Sequence, residues 1–103
     1  MIELINNNLL QIKAICLKHK VQRLEIFGSA LNEDNYDLTA SDLDFLVEFK
    51  PLKPGEYADT YFGLLEALED LFNRHVDLVM TSAIKNPYFL ESINNNREVL
   101  YAA

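Results

Sequence analysis

The chain has 103 residues and a formal net charge of −7; 50% of its residues are apolar and 24% are charged. This composition is typical of one folded domain over residues 1–103, with a modest core and no second lobe. Its nine basic residues are scattered, which argues against a surface that binds nucleic acid directly. Short apolar stretches, the lack of a signal peptide and the single Cys16 predict a reduced, cytoplasmic protein without a membrane segment.

The first third of the chain predicts a helix followed by a strand. Residues 2–19 repeat apolar side chains at three- and four-residue steps, which is the pattern of an amphipathic helix. The stripe consists of Ile2, Ile5, Leu9, Ile12 and Cys16, widened by Leu10, Ile15 and Leu17. The segment "VQRLEIF", 21–27, alternates apolar and polar residues and predicts a strand that Gly28 ends.

The rest of the chain predicts two more strands and two more helices. A polar loop with room for one helical turn precedes the second strand, "DLDFLVEF", 42–49. A helix follows over 57–72, and its aromatic residues are expected in the core: Tyr57, Tyr61, Phe62 and Phe72. The third strand is "VDLVM", 76–80, and a short helix is expected from Pro87, before an extended tail that packs back. This order predicts an α/β fold in which helices pack on one face of a small sheet.

Two aspartates at the start of the second strand are the first functional signal. Residues two apart on a strand point to the same face, so Asp42 and Asp44 project together, roughly 6.5–7 Å apart at the backbone. Two such charges repel each other unless a cation lies between them. Carboxylate oxygens suit Mg²⁺, which binds one or two carboxylates together with substrate phosphates.

The ends of the neighbouring strands offer the other parts of a phosphate site. Gly28 and Ser29 follow the first strand, where a glycine lets a phosphate approach the backbone closely. Asp77, in the third strand, offers another carboxylate. These groups converge only if strands one and two are antiparallel and strands two and three are parallel. One converged site therefore predicts a mixed sheet with strand two in the centre.

The motifs "FGS", "SDLDFLVEF" and "VDLV" resemble the nucleotidyltransferase superfamily of DNA polymerase beta. More narrowly, the chain resembles the minimal nucleotidyltransferases (MNT proteins such as MntA), which are often encoded beside a helical HEPN partner as antitoxin and toxin. The resemblance implies the polymerase-beta-like fold and the site residues. Gly28 and Ser29 would bind nucleotide phosphates, and Asp42, Asp44 and Asp77 would be catalytic and hold Mg²⁺.

Several other residues admit either a structural or a functional interpretation. Ser41 precedes Asp42, and it either caps the local turn or contacts the nucleotide. His19 and His75 follow helices, and we expect them to stabilise helix ends rather than to take part in catalysis. Tyr57 and Tyr61 are expected in the core, and either could stack on adenine as well.

Three functions fit these residues. The first is an enzyme that uses two Mg²⁺ ions to transfer AMP from ATP to a hydroxyl; by resemblance, the acceptor is a tyrosine of a HEPN toxin. The second is a non-catalytic antitoxin that neutralises its partner by binding. It is favoured by Ala30 and Leu31, where the family commonly has an arginine. The third is a transferase for a small molecule of the aminoglycoside type. Whether the protein forms a homo-oligomer or a hetero-oligomer is left open.

Overall fold

The computed structural model describes residues 3–27, 43–83 and 97–103. Its elements, in chain order, are α1 (Glu3–Asn6), α2 (Leu9–Lys18), β1 (Val21–Phe27), β2 (Leu43–Phe49), α3 (Tyr57–Phe72), β3 (Val76–Met80), a 3₁₀ turn (Thr81–Ala83) and β4 (Arg97–Ala102). The polar loop after β1 and the helix expected from Pro87 lie outside the described residues. The described helices include none with the length and apolar character that crossing a bilayer requires.

The four described strands form one mixed sheet in the order β3-β2-β1-β4. β1 is antiparallel to β2 and to β4, whereas β2 is parallel to β3. The parallel pair is joined through α3, which supplies the long crossover that such a pair needs. The predicted α/β fold, with β2 between β1 and β3, is therefore confirmed. The extended tail is the edge strand β4.

The N-terminal helix differs from the prediction, because the single helix expected over 2–19 is divided into α1 and α2. Asn8 stands at the break with φ −121° and ψ 16°. Its side-chain Nδ2 donates a hydrogen bond of 2.7 Å to the carbonyl oxygen of Leu4. Asparagine side chains compete in this way with helical backbone hydrogen bonds, which explains why the helix stops and restarts here.

The main core lies between the helices and one face of the sheet. Its fully buried members come from the three helices and the two inner strands, β1 and β2: Ile5, Ile12, Cys16, Val21, Leu24, Ile26, Leu43, Phe45, Val47, Leu64 and Leu68. Phe72 is also core, as predicted, with 4% exposed. Leu10 and Leu17, however, are 79% and 67% exposed, because they lie on the face of α2 opposite Ile12. Tyr57 and Phe62 are also exposed, so the core prediction for these two aromatics was wrong.

Candidate active site

The second face of the sheet carries the acidic residues. In the register of the strands, Asp44 of β2 pairs with Asp77 of β3 on one side and with Phe27 of β1 on the other. Residues that pair directly across neighbouring strands point to the same face, at a strand spacing of about 4.8 Å. Asp44 and Asp77 therefore stand side by side, opposite the helix-covered core, and the sheet brings two of the predicted site residues together.

The other predicted site residues lie outside the described part of the chain. They are Gly28, Ser29, Ser41 and Asp42. Their described neighbours in sequence are Phe27, the last residue of β1, and Leu43, the first residue of β2. Because Phe27 pairs with Asp44, β1 ends in the same row of residues that contains the two aspartates.

A cleft of about 470 Å³ opens beside the two aspartates. It is lined by Phe27, Asp44, Tyr61, Leu65, His75, Val76, Asp77, Leu78 and Val79. β3 is an edge strand of the described sheet, so the cleft runs along that edge. Of the described lining residues, Asp44 and Asp77 are acidic, and the others are apolar apart from Tyr61 and His75.

The charged part of the cleft is accessible to solvent. The Asp77 side chain is 50% exposed, and its Oδ1 lies 3.8 Å from Nδ1 of His75. The hydroxyl of Tyr61 donates a hydrogen bond to the carbonyl oxygen of Leu78. Burial raises the pKa of Tyr61, and the negative charge of Asp77 raises it further. The charge of Asp77 therefore acts on the hydroxyl of Tyr61, which lines the same cleft.

The donor set fits a divalent cation. Two carboxylates one strand spacing apart repel by about 1 kcal/mol even in water, and a cation between them reverses the sign of the interaction. Their hard oxygens and their exposure suit Mg²⁺, which keeps part of its water shell. Within residues 3–27, 43–83 and 97–103, no group of three or more His, Cys, Asp or Glu residues converges on one point. The third predicted carboxylate, Asp42, is outside those ranges.

Sequence reasoning missed one residue of the cleft and left another open. His75 was expected to stabilise a helix end, and Tyr61 was expected in the core with a second role in stacking left open; both line the cleft, and Tyr61 also packs against the core. The signal for His75 was present, since it precedes Asp77 by two residues and side chains alternate along an extended chain. The position of Tyr61 follows from the docking of α3 against β3, which no local pattern reveals.

Comparison with known proteins identifies the family. The family model "Polymerase beta, Nucleotidyltransferase" matches residues 10–103. The chain belongs to this nucleotidyltransferase family. It is thus an enzyme of the nucleotidyltransferase class, with the polymerase-beta-like fold that the sequence predicted. Among solved structures, one described as a "putative minimal nucleotidyltransferase" has a TM-score of 0.70 and 26% identity, covering 90% of this chain and 89% of that chain.

The curated relatives include proteins of Methanocaldococcus jannaschii. "Putative protein adenylyltransferase MJ0128" is 40% identical over 79 residues, which are 77% of this chain and 76% of that protein. "Putative protein adenylyltransferase MJ1379" is 33% identical, with the same coverage. A complex of a tri-AMPylated Shewanella oneidensis HEPN toxin with its MNT antitoxin has a TM-score of 0.64 and 18% identity, covering 96% of this chain and 73% of that chain. At this identity, the likeness shows a shared fold.

Proposed function

We propose that this nucleotidyltransferase is a Mg²⁺-dependent adenylyltransferase that moves AMP from ATP onto a tyrosine hydroxyl of a HEPN-type toxin and so acts as its antitoxin. The observation that carries the proposal is the side-by-side placement of Asp44 and Asp77 in the row where β1 ends. The names of the curated relatives support transfer of adenylate to a protein. The fold shared with the MNT antitoxin of the AMPylated toxin complex supports the partner.

In this proposal the three carboxylates hold the metal and the Gly28-Ser29 pair holds phosphate. Asp42, Asp44 and Asp77 would bind two Mg²⁺ ions, which offset the charge of the triphosphate and of the attacking oxygen. The amides and hydroxyl after β1 would orient the leaving phosphates, and Ser41 would contact the nucleotide beside them.

The proposed reaction is a single in-line displacement. The tyrosine oxygen of the toxin forms a bond to the α-phosphorus of ATP, and the bond from that phosphorus to the oxygen bridging to the β-phosphorus breaks. Pyrophosphate leaves with that oxygen and its electron pair. The hydroxyl proton passes to a carboxylate oxygen of Asp77, which is half exposed and stands next to Asp44. The products are the adenylylated toxin and pyrophosphate.

A pair of matched variants tests the proposal. Asp44→Asn removes one carboxylate charge at nearly constant size, and Glu48→Gln makes the same change at an exposed position on the same face of β2. The partner is the protein encoded beside this chain, incubated with ATP and Mg²⁺ and analysed by mass spectrometry. We expect the wild type and Glu48→Gln to add adenylate to the partner. We expect no addition by Asp44→Asn, or by the wild type with EDTA.

Two further assays with the same proteins distinguish the other functions considered from the sequence. If Asp44→Asn neutralises the partner as well as the wild type does at equal concentration, the protein acts by occlusion. If ATP is consumed only when an aminoglycoside is added, the acceptor is a small molecule. Nucleotide addition that persists in EDTA would contradict the metal-dependent site.

A further inference from the structure

The row of residues that contains the two aspartates continues across the sheet to a cation. Arg97 of β4 pairs with Phe27 of β1, which pairs with Asp44, which pairs with Asp77. Directly paired residues share a face, so Arg97 lies on the same face as the acidic pair. It stands two strand spacings from Asp44, or roughly 10 Å at the backbone.

A buried carboxylate on this face holds Arg97. The Glu25 side chain is 4% exposed, and it precedes Phe27 by two residues on β1, so it points to the same face. Its Oε2 lies 3.5 Å from Nη1 of Arg97. Its Oε1 is bound by Arg23, at 2.8 Å from Nη2 and 3.0 Å from Nε. A buried carboxylate is costly without such partners, and the proposed reaction gives Glu25 no role.

The two arginines are engaged to different degrees. Arg23 makes two short contacts, within the range of strong charge-assisted hydrogen bonds. Among residues 3–27, 43–83 and 97–103, Arg97 makes one longer contact through one nitrogen, and its side chain is 34% exposed. A guanidinium has five N–H donors in a planar fork, so the contact with Glu25 leaves Arg97 other donors for an anion that lies over the sheet. Arg23 is four residues further from the acidic row, or about 13 Å along the strand.

We propose that Arg97 binds the polyphosphate of the nucleoside triphosphate and that Glu25 positions its guanidinium. This proposal rests on the nucleotidyl transfer proposed above, since it assigns a further residue to the same site. Two carboxylates repel a bare polyphosphate, and a fixed cation in the same row stabilises the charge that builds up on the leaving pyrophosphate. Arginine suits this role because its fork matches phosphate oxygens.

The test compares Arg97→Gln with Arg23→Gln, because each variant removes one guanidinium from Glu25. Binding of ATP and of AMP is measured by calorimetry in Mg²⁺, and kcat and KM are measured with the partner. We expect Arg97→Gln to weaken ATP binding about tenfold or more and to leave AMP binding within about twofold, since only ATP carries the polyphosphate. Arg97→Lys should recover part of the loss. Arg23→Gln should bind both nucleotides like the wild type.

Glu25→Gln tests the positioning role. It should lower the preference for ATP over AMP by a smaller factor than Arg97→Gln does. The double variant should bind ATP no more weakly than Arg97→Gln alone, because Glu25 acts through Arg97. A loss of ATP preference in Glu25→Gln that adds fully to that of Arg97→Gln would overturn the positioning role.

Outcomes for the two proposals are distinct. If all arginine variants bind ATP as the wild type does, or if Arg97→Gln weakens ATP and AMP equally, the assignment of Arg97 is overturned even though wild-type AMP transfer stands. If the wild type binds ATP through Arg97 but adds no adenylate to the partner, the assignment of Arg97 is supported and the proposed function fails.

Discussion

The two faces of the sheet differ in composition: one is apolar and covered by helices, and the other carries the acidic residues. On β2, Leu43, Phe45 and Val47 point toward the helices and are fully buried. Asp44 and Glu48, between and beyond them, point to the opposite face. Core residues and residues of the proposed active site thus alternate along the same strand. This arrangement lets the acidic face vary without disturbing the core, and a register slip of one residue would destroy both at once.

The second face is not uniformly polar. Phe27 and Leu46 form a small buried cluster there, against which Val79 packs. In the register, the row next to Asp44 and Asp77 contains Leu46 and Val79. Apolar neighbours lower the local dielectric constant, so charges in the acidic row interact more strongly than they would on a fully hydrated surface.

The largest expected difference in stability between the two faces comes from substituting two neighbouring residues of β2. Phe45 is fully buried and its ring stacks on Phe72 with centroids 6.0 Å apart. We expect Phe45→Ala to lower the free energy of unfolding by about 3–5 kcal/mol, the usual cost of removing a core aromatic ring. Asp44→Asn should change it by less than about 1 kcal/mol, because the substitution keeps the size of the side chain and removes a charge repulsion with Asp77. Urea denaturation of both variants without metal measures this difference.

A similar loss of stability in Asp44→Asn would contradict the separation of the two faces. It would mean that Asp44 contributes to folding as Phe45 does. Nucleotide binding supplies the complementary measurement, since Asp44→Asn should lose metal-dependent ATP binding at a temperature at which it remains folded.

The sheet could be predicted from the sequence because each strand has a clear apolar alternation between clear breakers. The limits 21–27, 57–72 and 76–80 agree with β1, α3 and β3. The strand directions followed from one requirement, that the carboxylates of two strands meet at the end of the first. The register confirms this for Asp44 and Asp77. The roles of both residues in metal binding and catalysis remain predictions.

What failed depended on tertiary contacts or on a local competition that periodicity does not show. Leu10 and Leu17 fit a helical repeat, but only the docking of α2 decides which side of a wide stripe is covered. The break at Asn8 follows from its own side-chain hydrogen bond. Arg97 could not be placed near the acidic pair until β4 was known to pair with β1.

The burial of Cys16 under the helices can be tested by measuring stability at alkaline pH. Burial raises the pKa of the Cys16 thiol from its ordinary 9.0 to about 12. Between these values the folded protein keeps a proton that the unfolded chain releases, so stability falls as the pH rises. The slope from this one group is about 1.4 kcal/mol per pH unit. We expect the free energy of unfolding to fall more steeply above about pH 9 in the wild type than in Cys16→Ala.

The wild type and Cys16→Ala are compared by how steeply the free energy of unfolding falls with pH, and not by its value at neutral pH. Cys16→Ala creates a small core cavity and begins at lower stability. Parallel curves for the two proteins from about pH 9 to 11 would show that the thiol is reached by solvent in the folded state.

Tyr61 lies at the boundary between the two faces, because it belongs to the core-facing helix α3 and also lines the cleft. Its hydroxyl is engaged by the carbonyl oxygen of Leu78 on β3, so we place it with the stabilising contacts. Tyr61→Phe keeps the ring and should cost about 1 kcal/mol of unfolding free energy, the net value of one hydrogen bond. Because the hydroxyl donates to the backbone and not to the carboxylates, the Kd for ATP in Mg²⁺ should change by less than about twofold. Denaturation and calorimetry on the same sample measure both quantities. Unchanged stability together with clearly weaker ATP binding would assign the hydroxyl to the substrate side of the cleft, and the boundary between the two faces would then run through α3.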